Sequence, residues 1–111
     1  MVVYIAGPYR GRTPYQVEKN IARAKKAALK VWKAGHIALC PHMNTANFDG
    51  ELPDEVWMDG ALELMLRCDV VLVLKGWDSS KGSRAEVTEA MSRGMLVVED
   101  IDTLRRERFA E

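Results

Sequence analysis

Residues 69–86 contain the feature that most constrains how this chain folds. Residues 70–74 are continuously apolar, which is typical of a central parallel strand that is covered on both faces. A short loop rich in serine and glycine follows, and then a predicted helix with Glu86 in its first turn. Free backbone N–H groups and the positive end of the helix dipole meet at such a junction. The stretch therefore predicts an open α/β sheet with an anion-binding loop.

Strand-like and helix-like patterns alternate along the chain. In residues 14–34, apolar side chains recur at helical spacing, with Thr13 and Pro14 marking the start and Gly35 the end. The order β-α-β-α-β-α-β-α predicts a doubly wound, Rossmann-like or flavodoxin-like fold, with a parallel sheet of four to five strands and helices on both faces. The predicted strands are 2–6, 36–40, 70–74 and 95–98, and the predicted helices are 14–34, 54–67, 83–93 and the charged tail after residue 102.

Composition narrows the class of protein. The chain has 111 residues, of which 48% are apolar, so a single domain with its own core is expected over residues 1–111. Sixteen basic residues balance sixteen acidic ones, and no global charge attracts a nucleic acid polymer or an anionic membrane. No apolar run reaches membrane-spanning length, and Cys40 and Cys68 look like buried reduced thiols. We therefore expect a cytoplasmic protein.

The sequence lacks the motifs of several well-known cofactor, metal and catalytic sites. The chain has neither the Gly-x-Gly-x-x-Gly fingerprint nor a phosphate-loop lysine, which counts against a dinucleotide dehydrogenase and an NTPase. Its His, Cys and Asp residues lack metal-ligand spacing, and no Ser/His/Asp set can be argued. We expect neither a metal nor a cofactor.

The polar segments of the chain follow its predicted strands. In doubly wound sheets, ligands bind where the carboxyl ends of the strands meet, which here means residues 7–12, 41–47 and 76–86. Gly7 allows close approach of a ligand, and Arg10 offers a planar fork for phosphate. His42 begins a long polar loop over residues 41–53 and is a candidate for contact with a base or sugar.

Glu86 has two local explanations. The Ser-x-x-Glu spacing makes Ser83 a helix N-cap and Glu86 its capping-box partner, and the local pattern alone favours this structural role. Alternatively, if the loop binds the phosphate of a nucleotide, Glu86 lies beside the sugar. A carboxylate next to an anomeric carbon is typical of glycosyl transfer.

Four segments occur together in order: residues 4–8, the helix from Asn20 to Trp32, residues 35–42, and residues 68–86. This combination resembles the nucleoside 2-deoxyribosyltransferase superfamily, especially small members similar to 2′-deoxynucleoside 5′-phosphate N-hydrolase. The resemblance covers nearly the whole chain. It implies a Rossmann-like domain, a homodimer or larger, that cleaves or exchanges an N-glycosidic bond without metal or cofactor.

The resemblance also implies roles for individual residues. Glu86 matches the glutamate nucleophile and Tyr4 the tyrosine that orients it. Ala61 stands where the family often has an aspartate that handles the base, so Asp59, close by on the same helix, is the expected catalytic acid, and Glu63 is its alternative. Pro8 replaces a phosphate-binding serine. The expected substrate-binding residues are Gly7, Arg10, His42, Asp69, Ser80 and Gly82, with capping of the preceding turn as the alternative for Asp69.

Three functions remain open from the sequence. The first is an N-glycosidase or deoxyribosyltransferase acting on a small-molecule nucleotide or nucleoside. The second is a nucleotide-binding module of the same fold with little or no catalysis. The third is an α/β interaction domain in which Glu86 only caps its helix.

For the assembly, we expect the second and third predicted helices to form the interface, with surplus apolar side chains supplied by Trp32, Trp57, Met65 and Met91.

Overall fold

A parallel sheet of four strands forms the centre of the protein in the computed structural model, which describes residues 1–104. Its spatial order is β2-β1-β3-β4, so the chain moves first to one side of β1 and then to the other. This order confirms the predicted doubly wound, flavodoxin-like sheet. The strands are β1 (Val2–Ala6), β2 (Ile37–Leu39), β3 (Val70–Val73) and β4 (Leu96–Val98).

Helices cover both faces of this sheet. On one face Val3 and Ile5 pack with Ala28 and Val31 of the first helix. On the other face Tyr4, with neighbours from the later helices, forms a second buried cluster. The alternation of strand side chains between the two faces explains the continuously apolar central strands. The α-helices are α1 (Pro14–Lys33), α2 (Pro41–Asn44), α3 (Asp54–Met65) and α4 (Lys81–Ser92), and two short 3-10 helices cover Trp77–Ser79 and Ile101–Thr103.

The boundaries of α1 lie close to those predicted. Thr13 is the N-cap, and its hydroxyl accepts a hydrogen bond from the backbone N–H of Gln16 at 3.2 Å. Pro14 occupies the first helical position, where its missing N–H leaves no helix hydrogen bond unmade. Gly35 follows the helix with a φ of 87°, a left-handed conformation that favours glycine.

The start of α4 differs from the prediction in a way that matters for Glu86. The N-cap is Ser80, whose hydroxyl accepts from the backbone N–H of Ser83 at 3.3 Å. The helix therefore begins at Lys81, and Glu86 lies in its second turn. A capping-box glutamate must lie three residues after the cap, so the capping explanation of Glu86 is wrong.

Other differences are smaller. The predicted loop over residues 41–53 contains the short helix α2 and an isolated bridge between Asp49 and Leu52. Helix α3 ends at Met65, two residues before its predicted end. Val56, an apolar residue of that helix, is 45% exposed. Residues 101–103 are the 3-10 helix, and the rest of the predicted tail helix lies outside the described residues.

Candidate active site at the carboxyl edge of the sheet

A cavity of about 440 Å³ opens at the carboxyl edge of the sheet. It lies between the loop after β1, the start of α2, one face of α3 and the first turns of α4. This is where the topology of a doubly wound sheet places a ligand. Six of the predicted site residues line the cavity: Gly7, Arg10, His42, Ser80, Gly82 and Glu86.

The hydroxyl of Tyr4 donates a hydrogen bond to Oε2 of Glu86. Tyr4 lies on β1 and is fully buried, while Glu86 projects from α4 into the cavity. Burial raises the pKa of Glu86 from its ordinary 4.5 to about 7, and the Tyr4 hydrogen bond acts in the opposite, lowering direction. Burial and the neighbouring carboxylate together raise the pKa of Tyr4, so its phenol keeps its proton. The site therefore holds a carboxyl group with a pKa near neutrality and a tyrosine that fixes its orientation through one hydrogen bond.

His42 is 4% exposed, and its Nε2 donates to the backbone carbonyls of Gly7 at 3.0 Å and Pro8 at 3.1 Å. Because carbonyl oxygens only accept, the proton must be on Nε2. Burial lowers the pKa of His42, which keeps the ring neutral and leaves Nδ1 as a hydrogen-bond acceptor. That Nδ1 has no hydrogen-bond partner among residues 1–104.

Two other polar atoms on the cavity wall share this property. The hydroxyl of Ser83 and the indole N–H of Trp57 are both buried, and neither finds a hydrogen-bond partner within the described part of the chain. Buried polar groups are normally paired, so three residues of one cavity wall whose polar atoms lack a partner within residues 1–104 make this wall the first candidate for contact with a ligand or an ordered water. Together they offer an acceptor, a donor and a hydroxyl that serves as either.

Arg10 lies at the mouth of the cavity beside two carboxylates. Its guanidinium nitrogens are 2.6 Å from Oδ1 of Asp54 and 3.6 Å from Oδ2 of Asp49. The hydroxyl of Tyr9 donates to the other oxygen of Asp49 at 2.7 Å. The Arg10 side chain is 62% exposed, so these pairs are weakly held, and an anionic ligand group has to compete with both carboxylates for it.

The structure does not bring Asp59 or Asp69 to the site. Asp69 precedes β3, and its Oδ2 accepts from the backbone N–H of Val2 at 2.7 Å, which places it at the amino edge of the sheet. The substrate-binding prediction for Asp69 is therefore wrong, and its role is to pair an otherwise free strand N–H. Asp59 is exposed and does not line the cavity, because Trp57 and Ala61, four residues apart, occupy the inward face of α3. The prediction of Asp59 as catalytic acid is wrong for that reason.

The absence of a side chain at Gly7 matters for packing against Leu74 more than for the access of a ligand. A Cβ at Gly7 would lie 2.8 Å from Cδ1 of Leu74, so only glycine lets the loop after β1 pass the end of β3. At Gly82, by contrast, a Cβ would meet nothing within 4 Å, because the start of α4 faces open space. A side chain is therefore excluded by its neighbours at Gly7 but not at Gly82.

Sequence reasoning missed the carboxylates at the mouth and the buried hydroxyl of Ser83. Asp49 and Asp54 approach Arg10 only because the loop before α3 folds across the end of β1. The Ser-x-x-Glu spacing predicts Ser83 as a cap, whereas the helix begins earlier and places Ser83 inside it, where it is buried. Within residues 1–104 no group of three His, Cys, Asp or Glu residues is suited to a metal ion, and none of the helices described is long and apolar enough to cross a membrane.

Comparison with known proteins gives a family and several solved structures of similar fold. A family model described as a domain of unknown function, DUF4406, matches residues 1–99. The 2-deoxyribosyltransferase of the psychrotolerant bacterium Bacillus psychrosaccharolyticus is similar over 87% of this chain and 69% of its own, with 17% identity and a TM-score of 0.67. That of Leishmania mexicana is similar over 97% and 79%, with 18% identity and a TM-score of 0.62. A search of curated proteins found no match. The chain therefore belongs to the DUF4406 family and has the fold of the 2-deoxyribosyltransferases.

Proposed function

We propose that this protein cleaves or exchanges the N-glycosidic bond of a nucleoside or nucleotide, with Glu86 as the nucleophile. One observation carries the proposal: a half-buried carboxylate, oriented by a buried tyrosine, projects into a cavity whose wall residues include polar atoms without a partner among residues 1–104. The 2-deoxyribosyltransferase fold supports the same assignment. A capping role no longer competes for Glu86, because Ser80 caps the helix without it.

The chemistry follows from the carboxylate. An oxygen of Glu86 forms a bond to the anomeric carbon C1′ as the bond from C1′ to the base nitrogen breaks. The electron pair of the broken bond stays on the base, which takes up one proton. Water then attacks C1′ of the glycosyl ester, frees the carboxylate and releases one proton, so the two steps balance. A second base in place of water gives transfer.

The α3 side of the cavity has no acid at the position expected to protonate the leaving base. Ala61 lines the cavity at the position where the resemblance implies an acid, so α3 offers no carboxyl group there. The indole N–H of Trp57, one turn earlier on the same face, is an unpaired donor. A hydrogen bond from this donor stabilises the negative charge that develops on a departing base, although an indole does not transfer its proton.

Base release from a panel of nucleosides and nucleoside 5′-monophosphates tests the proposal. Chromatography detects the free base, and addition of a second base separates transfer from hydrolysis. We expect release from at least one member of the panel and none from Glu86→Gln. Release at equal rates from both proteins would disprove the nucleophile.

A second candidate, a nucleotide-binding module without efficient catalysis, is favoured by one observation: an alanine occupies the acid position on α3. It predicts ligand-dependent thermal stabilisation with no base release. An interaction domain of the same fold predicts neither.

A further inference from the structure

The hydroxyl of Ser83 has a position that helix formation alone does not explain. Ser83 is 2% exposed, and its Oγ has no hydrogen-bond partner in the described structure. A serine inside a helix usually satisfies its hydroxyl by bonding to a carbonyl one turn back. A buried hydroxyl left unpaired destabilises the fold. Its place in a residue of the cavity wall, without a partner among residues 1–104, points to a ligand group that pairs with it.

Ser83 lies three residues before Glu86 on α4, and both line the same cavity. Side chains three residues apart are neighbours on one face of a helix. The other hydroxyl at Glu86, that of Tyr4, already donates to the carboxylate. Ser83 therefore supplies the uncommitted hydroxyl on the helix face that presents the nucleophile.

The stereochemistry of the sugar indicates which group of the substrate lies close to the Ser83 hydroxyl. In a β-nucleoside the base projects from the upper face of the ring, so a nucleophile reaches C1′ from the lower face. The 2′-hydroxyl of a ribose lies on that same lower face, on the adjacent carbon. It therefore enters the space beside the attacking carboxylate, whereas a 2′-deoxy sugar offers only hydrogen there.

We propose that Ser83 Oγ hydrogen-bonds the 2′-hydroxyl of a ribose, which makes ribonucleosides or ribonucleotides the favoured substrates of this protein. The inference rests on the proposed function, because attack by Glu86 fixes how the sugar faces α4. A site built to pair with a substrate hydroxyl discriminates against the analogue that lacks it, since its buried polar group is then left unpaired.

Matched pairs of substrates that differ only at the 2′ position test the inference. Adenosine and 2′-deoxyadenosine, uridine and 2′-deoxyuridine, and the 5′-monophosphates of each are compared by kcat/KM. We expect the wild type to prefer the ribose member and Ser83→Ala to lower the ribose-to-deoxyribose ratio about tenfold, the range of one buried hydrogen bond. Ser92→Ala, at the exposed end of α4, is the matched control and should keep the wild-type ratio.

A wild-type preference for the deoxy member, or an unaltered ratio in Ser83→Ala, would overturn the inference while leaving the glycosidase proposal intact.

Binding of the same pairs to Glu86→Gln and to Glu86→Gln/Ser83→Ala, measured by calorimetry, separates the two proposals. If no base is released, the proposed function fails, and a ribose preference in binding that disappears with Ser83 still supports the sugar contact. If the deoxy member binds as tightly as the ribose member, the sugar contact is disproved. Thermal unfolding checks the variants, since Ser83→Ala removes an unpaired hydroxyl and should not lower stability.

Discussion

Tyr4 and Glu86 are 82 residues apart in the sequence and share one hydrogen bond, from the phenol to Oε2 of the carboxylate. The bond joins the central strand β1 to the second turn of α4. Burial raises the pKa of Glu86 to about 7, and the hydrogen bond from Tyr4 has the opposite, lowering effect on that pKa. Near neutral pH the carboxyl group is therefore present in both its ionised and its protonated form. Four predictions concern this pair and the groups around it, and a fifth concerns the assembly of the protein.

Glu86→Gln should abolish glycosidic cleavage while leaving ligand binding measurable. The amide keeps the size of the side chain and its acceptor for the Tyr4 hydroxyl, but it is not a nucleophile. Steady-state base release measures the effect, and Glu89→Gln, which alters a partly exposed partner of Arg93 on the same helix, is the control. A Glu86→Gln protein that retains more than about a tenth of the wild-type rate would remove Glu86 from this role.

The rate of cleavage should rise with pH through about 7, because only the ionised form of Glu86 attacks. Tyr4→Phe removes a hydrogen bond that lowers the pKa of Glu86, so the midpoint of the kcat/KM profile should move to higher pH. Tyr9→Phe, which loses a hydrogen bond at the cavity mouth, should leave the midpoint in place. A Tyr4→Phe midpoint at or below the wild-type value would contradict the assigned hydrogen bond.

The contribution of Glu86 to the stability of the wild type should fall as pH rises from about 4.5 to about 7. The folded protein holds the Glu86 proton up to about 7, whereas an unfolded chain loses it near the ordinary value of 4.5, so folding favours the protonated form. Glu86→Gln lacks this titration. The difference in Tm, Glu86→Gln minus wild type, should increase across that range, as measured by thermal unfolding at several pH values. A difference that decreases with rising pH would show that burial does not raise this pKa.

Arg10→Ala should weaken binding of 5′-monophosphates more than binding of the matching nucleosides. Charge-assisted hydrogen bonds are worth about 1.5–3 kcal/mol, which corresponds to at least a tenfold difference in Kd. Asp54→Asn should have the opposite effect, because Asp54 competes with phosphate for Arg10 from 2.6 Å. Asp59→Asn changes an exposed carboxylate of α3 that does not line the cavity and serves as the control. If Arg10→Ala weakens both ligand classes equally, Arg10 supports the loop without contacting phosphate.

The protein should form a homodimer or larger assembly at micromolar concentration. Of the apolar residues expected to supply the interface, Met65 is fully buried in the core and Met91 on α4 is 64% exposed. Trp32 is 53% exposed but lies on α1, on the face of the sheet opposite α3 and α4. Val56 and Met58 on α3 are also exposed, at 45% and 47%, and Met58 lines the cavity. Sedimentation should show a mass of at least two chains of 12.5 kDa each.

Val56→Glu should shift this assembly toward monomer, since a charge in an apolar interface is costly to desolvate. Leu29→Glu changes an exposed residue of α1, on the opposite face of the sheet, and is the control. A wild-type monomer with full activity would reject the expected assembly.

Much of the fold was predictable from local patterns. The apolar run in β3, the helical spacing in α1 and its capping residues predicted elements that the structure contains, because each signal involves neighbours in the sequence. The βαβ order then placed the strand ends at one edge. Gly7, Arg10, His42, Ser80, Gly82 and Glu86 were predicted to meet there, and the structure brings them to one cavity.

The tertiary structure decided what local patterns leave open. Which face of α3 turns inward depends on its rotation against the sheet, and that rotation excludes Asp59 and admits Ala61 and Trp57. Asp69 lies at the far edge because a strand carries its first residue to the end opposite its last. The pKa of Glu86 depends on burial and on Tyr4, which only long-range packing brings together. The sequence by itself determined the elements and the shared edge of their loops, whereas the orientation, burial and pairing of each side chain followed from packing between distant segments.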